Sequence, residues 1–344
     1  MLDVLTEGIR QGRELVSTEI SKAVAALTDE GVPAEVKAEF LMALARRGET
    51  PAEIAGFALE LRDLAVAPPI RVATRERGIV DVCGTGGDHR NTFNISTTVA
   101  LVLASAGVPV AKHGNRAITS KAGSADVLEA LGIPIELPPA EAAEALEAKD
   151  FAFFFAPRYH PAFKHLAAAR KLCAGQGQRT IFNFLGPLLN PARPSGQLVG
   201  VSVPSLCAPL ARVLQELGLR RAMVVCGETP EGALDELSVL GDTQVAEFHH
   251  ERGFSTGTLS AADWDLPPAT LADLAGGDRE ENAAIVRRIL AGEERGVKRE
   301  AVLLNAGAAL FVAGRAGSIQ EGRERAAEEI DSGAAAAKLD QLRA

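Results

Sequence analysis

The amino-acid sequence predicts an α/β protein in which a small all-helical domain is hinged to a larger α/β domain with a mostly parallel central sheet. Three observations predict it. Residues 1 to about 67 carry only helical patterning, Ala67-Pro68-Pro69 breaks that pattern, and beyond the break short apolar strands alternate with helices. The length agrees, since 344 residues suffice for about two domains of roughly 150 residues each.

In the helical part, Val36, Phe40, Leu41 and Leu44 share one face, and Arg46-Arg47-Gly48 supplies a cationic, glycine-terminated end. Thr50-Pro51-Ala52-Glu53 reads as a capping box with proline at the first helical position, and Ile54, Phe57, Leu61 and Leu64 face inward behind it. After the Pro-Pro linker, GIVDVCGTGG is a strand running into a glycine-rich turn, and Ile95 to Ala106 is a helix. VPVAKHGN is a second strand and turn, SADVLEALG a helix, and FAFFFAP a third strand. QLVGVSV and RAMVVCGE read as further strands separated by the helix SLCAPLARVLQELG, and from about Asn282 the chain is helical and acidic again. Such alternation implies a parallel sheet covered by helices on both faces.

Composition narrows the function. The formal charge is 36 − 45 = −9, which disfavours a general nucleic-acid or anionic-membrane binder. Aromatic residues are only 4% of the chain, too few for base-stacking platforms. Cys83, Cys173, Cys207 and Cys226 are widely spaced, which fits a reduced cytoplasmic chain rather than a disulfide framework or a zinc site. The first residues, MLDVLTEGIRQGREL, are charged throughout, and the uncharged stretch from Asn91 to Ala111 is too polar for a membrane span.

Two glycine-rich strand ends carry the chemistry. Gly84-Thr85-Gly86-Gly87-Asp88 precedes Asn94-Ile95-Ser96-Thr97 at a helix start, a pattern that lets backbone amides approach an anion. It is not a dinucleotide fingerprint, because His89 stands where the third glycine is needed, and GK[ST] is missing for a Walker loop. Lys112-His113-Gly114-Asn115-Arg116 follows the next strand, with Ser120, Lys121, Gly123 and Ser124 after it. Two neighbouring strand ends rich in glycine, cations and hydroxyls favour phosphate binding at the carboxyl edge of the sheet. Residues 151–196 hold six Lys/Arg and no Asp or Glu, which points to a local anion site. Adjacent Asp235 and Glu236, with no His or Cys beside them, suit a hydrated Mg²⁺. By contrast, His249-His250 reads as an exposed strand end, Trp264 as packing, and Cys83 as an unactivated thiol.

Taken together, FLMALARRGETPAEIAGFALELR, GTGGDHRNTFNIST, KHGNRAITSKAGSADVLEALG, YHPAFKHLAAARK, RTIFNFLGPLLNPA and LDELSVLG resemble the anthranilate phosphoribosyltransferases over nearly the whole chain. More distantly, the implied fold is similar to that of the pyrimidine nucleoside phosphorylases. The resemblance implies transfer of phosphoribose from phosphoribosyl pyrophosphate (PRPP) to the amine of anthranilate in tryptophan biosynthesis. It implies a helical dimerisation domain of residues 1–67 plus about 161–190, and an α/β domain of residues 70–160 plus 191–344. Carried over by motif, PRPP contacts are Gly84, Gly87, Asp88, Thr92, Asn94, Ile95, Ser96, Thr97, Lys112, His113, Gly114, Asn115, Arg116, Ala117, Ile118, Thr119, Ser120 and Ser124. Gly84, Asn115 and Arg170 match the anthranilate contacts, with Arg170 as carboxylate partner, and Ser96, Asp235 and Glu236 match the Mg²⁺ ligands. His113 and His160 stand in motifs that shape the acceptor pocket. The charge and cysteines above predict a cytoplasmic chain with no nucleic-acid or membrane partner. A neutral amine with a magnesium-pyrophosphate leaving group calls for no acid or base residue in the chemistry. The resemblance also implies a homodimer. Two features differ from its usual pattern: His89 in place of a glycine after GTGGD, and a longer segment between Arg170 and Arg179. Other readings of the same residues are a PRPP-dependent transferase for another aromatic amine, a nucleoside phosphorylase, or a non-catalytic relative that binds nucleic acid or protein.

Overall fold

The computed structural model describes residues 1–117 and 121–343. Helices α1 (Leu2–Arg10), α2 (Ser17–Thr28), α3 (Ala34–Arg47) and α4 (Pro51–Asp63) form the N-terminal bundle. The box opening α4 is present: Thr50 Oγ1 accepts from the Glu53 amide at 3.2 Å, and Glu53 Oε2 accepts from the Thr50 amide at 2.9 Å. Thr50→Ala is expected to cost about 1 kcal/mol, read as a lower midpoint in denaturant. Leu64 to Arg71 then links the bundle to the short α5 (Val72–Glu76), with the Val66 amide donating to Tyr159 O at 2.9 Å.

The remaining elements are β1 (Val80–Gly84), α6 (Ile95–Ser105), β2 (Val110–Gly114), α7 (Ser124–Ala130), α8 (Pro139–Lys149), β3 (Phe151–Phe155), α9 (Ala156–Tyr159), α10 (Ala167–Gly175), β4 (Gly196–Gly200), α11 (Cys207–Glu216), β5 (Arg221–Thr229), β6 (Gly232–Leu234), β7 (Thr243–His249), β8 (Gly253–Leu259), α12 (Arg279–Leu290), α13 (Val297–Val312), α14 (Ile319–Asp331) and α15 (Ala334–Arg343). The sheet order is β3-β2-β1-β4-β5-β7-β8, with β6 paired to β5. From β3 to β5 every pairing is parallel, whereas β6, β7 and β8 add an antiparallel end. Sequence patterning did not resolve β6 and β8, because short polar strands such as GFSTGTL bury too little to show alternation.

Alternation along the strands builds two faces. Val80, Val82, Val110, Phe151, Phe153, Leu198, Met223 and Val225 pack under α6 and α12 to α15. On the other face, Val199, Val201, Ala222, Val224 and Phe248 join α11 and the bundle in one apolar core. Ala111, Ala152 and Phe154 meet α8 on that side in a third cluster. From β1 the chain winds outward to β3 and then returns across β1 to β4. The carboxyl end of β1 therefore lies where strand order reverses, the place where open α/β sheets hold ligands.

Candidate active site

The loop after β1 is shaped by Gly86 and Gly87, whose φ angles of +71° and +81° suit glycine. His89 shares this left-handed conformation at φ +58°, is exposed, and lines the loop's cavity. Further along, the Phe93 amide bonds Leu274 O at 3.0 Å and anchors the loop before α6 begins. Against this frame sits the turn between β6 and β7. Asp235 Oδ2 accepts from the Gly86 amide at 2.7 Å, and Glu236 Oε1 accepts from the Ser96 amide at 3.2 Å. Glycine is needed twice for that approach: a β-carbon on Gly84 would stand 2.2 Å from Asp235 Oδ2, and one on Gly200 1.6 Å from Asp235 O.

Enclosure and mutual repulsion govern these carboxyls. Burial, then the charge of Asp88, pushes Asp235 up to about 7, and burial with the Asp235 charge lifts Glu236 well above its usual range. Lys112 comes from below, wholly buried, donating to Val82 O at 2.7 Å and reaching Ser96 Oγ at 3.5 Å. Desolvation lowers its pKa. Beneath it, Asp81 is raised to about 6 by burial and is bonded by Asn190 Nδ2 at 2.8 Å. Asn190 also donates to Ala111 O at 2.7 Å, and Gln197 Nε2 to Pro187 O at 2.6 Å, so the segment GPLLNP is pinned to the strands.

Two clefts, each of about 350 Å³, open on this edge. Every described residue expected to hold PRPP or metal lines the first: Gly84, Gly87, Asp88, Thr92, Asn94 to Thr97, Lys112 to Ala117, Ser124, Asp235 and Glu236. Ile118, Thr119 and Ser120 lie outside the described residues. Within the cleft, Arg116 is committed to carboxylates, with 3.0 Å contacts to both Asp126 and Glu129. The second cleft shares Cys83 to Gly87 and His113 to Asn115 with the first and adds His160, Phe163, Arg170, Arg179 and Phe182. Arg170 opens to its solvent and stacks 5.5 Å from the Phe182 ring centre, and the enclosing protein lowers its pKa. At the junction, His113 and His160 meet Nε2 to Nε2 at 3.2 Å, and burial holds them neutral at about 3 and about 4. Burial also raises the Cys83 thiol, which keeps it protonated.

A polar cleft sharing a wall with an aromatic, cation-bearing one is the geometry of a two-substrate transferase, and relatives agree. The model of the glycosyl transferase family a/b domain matches residues 76–336, and that of its helical bundle domain residues 4–65. An anthranilate phosphoribosyltransferase of Brevibacillus brevis is 46% identical over 100% of this chain and 97% of its own. The chain belongs to the anthranilate phosphoribosyltransferase family. Among solved structures, the anthranilate phosphoribosyltransferase of Thermus thermophilus superposes with a TM-score of 0.88 at 42% identity, covering 98% of each chain. The Saccharomyces cerevisiae anthranilate phosphoribosyltransferase in complex with PRPP and Mg superposes at 0.87 with 25% identity, covering 99% of this chain and 96% of that one.

In this site, segments far apart in the chain converge. Arg179, Phe163 and Phe182 were not singled out from the sequence for the acceptor side, although RTIFNFLGP contained two of them. Their signal was the acid-free segment 151–196, which marks a region and names no residue.

Proposed function

We propose that the protein transfers the phosphoribosyl group of PRPP to the amine of anthranilate, releasing pyrophosphate, in tryptophan biosynthesis. One observation carries this: the two clefts meet at Gly84 to Gly87 and His113 to Asn115, so a sugar held in one presents its anomeric carbon to an amine in the other. In the reaction the C1′–N bond forms from the amine lone pair, the C1′–O bond breaks with its electrons going to pyrophosphate, and the amine proton leaves to water. Loss of anthranilate fluorescence only when protein, PRPP and Mg²⁺ are all present tests this; no loss would refute it.

The loop amides, Asn94, Thr97 and Ser124 are proposed to hold PRPP, with Lys112 supplying charge from beneath. The donor set fits Mg²⁺. Asp235 and Glu236 offer hard oxygens, both carboxyls are pushed upward chiefly by burial and then by neighbouring carboxylates, and the Ser96 amide lies against Glu236. An ion held by two carboxylates there would be completed by water and phosphate oxygens. Bound there, Mg²⁺ would neutralise charge on the pyrophosphate group. The chain itself positions the substrates and excludes water, and the aromatic amine is already a neutral nucleophile at pH 7.

Arg170 is proposed to bind the anthranilate carboxylate. Arg170→Ala is expected to raise KM for anthranilate by ~10–100-fold, with KM for PRPP little changed; initial rates against each substrate would check it. We also propose a homodimer joined through the helical part, residues 1–67 plus about 161–190. In support, the exposed large apolar side chains among the described residues, such as Met1, Val4, Val16 and Leu64, all lie within residues 1–72 or at Leu172. A cytoplasmic site is proposed from the free cysteines and the biosynthetic family. No helix of the described residues is long and apolar enough to cross a membrane.

A further inference from the structure

Two guanidiniums line the acceptor-side cleft, Arg170 and Arg179. Arg170 is stacked on Phe182 and has the anthranilate carboxylate to bind. Arg179 differs in surroundings. Its Nη2 lies 3.6 Å from where a β-carbon on Gly87 would stand, so the guanidinium rests against the glycine loop rather than the aromatic wall. Among the described residues that guanidinium has no hydrogen bond and no ion pair, while Arg116, which lines the first cleft, is fully engaged by Asp126 and Glu129.

Its main chain is firmly held. Gln178 Nε2 donates to Arg179 O at 2.9 Å, and next to it the Thr180 amide bonds Asn183 Oδ1 at 2.8 Å. Ile181 and Phe182, which follow, are buried in the core shared with α3 and α4, whereas Gly87 belongs to the loop after β1. An anchored, unpaired cation from one wall thus faces an amide-rich anion loop on the other, and an anion between them would satisfy both.

We propose that Arg179 binds the pyrophosphate group of PRPP from across the cleft and stabilises the charge that gathers on it as the C1′–O bond breaks. This rests on the phosphoribosyltransferase reading above. The contact grows with leaving-group charge, so it favours the transition state over the ground state. It also ties the helical side of the cleft to the glycine loop, so PRPP itself would draw the two walls together.

The test uses full-length Arg179→Gln and Arg179→Lys, with thermal unfolding to confirm that each is folded. Initial rates are measured against PRPP and anthranilate, and Mg²⁺-pyrophosphate is titrated calorimetrically into each protein. Arg179→Gln is expected to lower kcat/KM for PRPP by ~10²-fold and weaken pyrophosphate about tenfold, with KM for anthranilate changed by no more than about twofold. Arg179→Lys should recover part of both, which a purely structural role would not predict. Unchanged pyrophosphate affinity and PRPP kinetics would overturn the assignment, and so would a rise confined to KM for anthranilate. Should the wild-type protein leave anthranilate unconsumed, the reaction assigned above fails, while the pyrophosphate titration still decides the role of Arg179.

Discussion

Replacing Asp235 with asparagine is expected to cut turnover by ~10³-fold, about 4 kcal/mol of transition-state stabilisation, and at the same time to stabilise the metal-free protein at pH 8. Both effects have one cause. Asp235 is packed against Gly86 and beside Asp88 and Glu236, and its carboxyl is raised from the ordinary 3.8 to about 7. The folded state therefore holds a proton that the unfolded state has released anywhere between those values. That contribution is complete below pH 3.8 and is lost as pH rises through about 7. An asparagine keeps the acceptor for the Gly86 amide and carries no charge to repel its neighbours. Without Mg²⁺, the wild-type unfolding midpoint should fall between pH 5 and pH 8 further than that of Asp235→Asn. Saturating Mg²⁺ should raise the wild type at pH 8 and leave the variant nearly unmoved. Scanning calorimetry at the two pH values, with and without Mg²⁺, reads both parts. A variant less stable than wild type at pH 8 without metal would show that burial and neighbouring carboxylates do not disfavour the Asp235 charge.

Gly200→Ala is the second large effect, and it acts at a residue with no functional group. Gly200 ends β4 in an ordinary backbone conformation, so alanine meets no torsional penalty. The obstacle is the carbonyl of Asp235, 1.6 Å from the new methyl, with its carbon at 2.3 Å. Backbone atoms must shift by more than an ångström-scale adjustment of a flexible side chain, and the turn that moves is the one carrying both carboxylates. We expect turnover to fall by at least ~10²-fold, since small displacements of positioned groups cost that much, and stability by about 1–3 kcal/mol from overpacking. Gly257→Ala is the matched control, because nothing lies within 4 Å of its added carbon. Retained turnover in Gly200→Ala would mean that the carboxylates need not sit where this packing puts them.

The fold is largely legible in the sequence. Strand and helix boundaries from β1 to β5 fall within a few residues of the apolar segments in the sequence, because both faces of a parallel strand are buried and the composition shows it. The helix from about Asn282 begins a little earlier, at Arg279, since Asp278 caps it with bonds to the Glu280 and Glu281 amides. What the patterning missed was α8 (Pro139–Lys149), between SADVLEALG and FAFFFAP, and the antiparallel end, where half-exposed strands carry weak alternation.

Local sequence determined the chemistry that each segment can offer: glycines that let amides meet anions, a hard carboxylate pair, an acid-free cationic stretch. Those follow from residue type and near neighbours alone. Which of these groups meet was decided only by tertiary structure, because Asp235 reaches Gly86 across 149 residues of chain and Glu236 reaches Ser96 across 140. The same packing occupied Arg116 with Asp126 and Glu129, pressed the unpaired Arg179 against Gly87, and buried His113 with His160 as a neutral pair. A charge's value depends on what surrounds it, through desolvation and partners, and neither is written in the order of the residues.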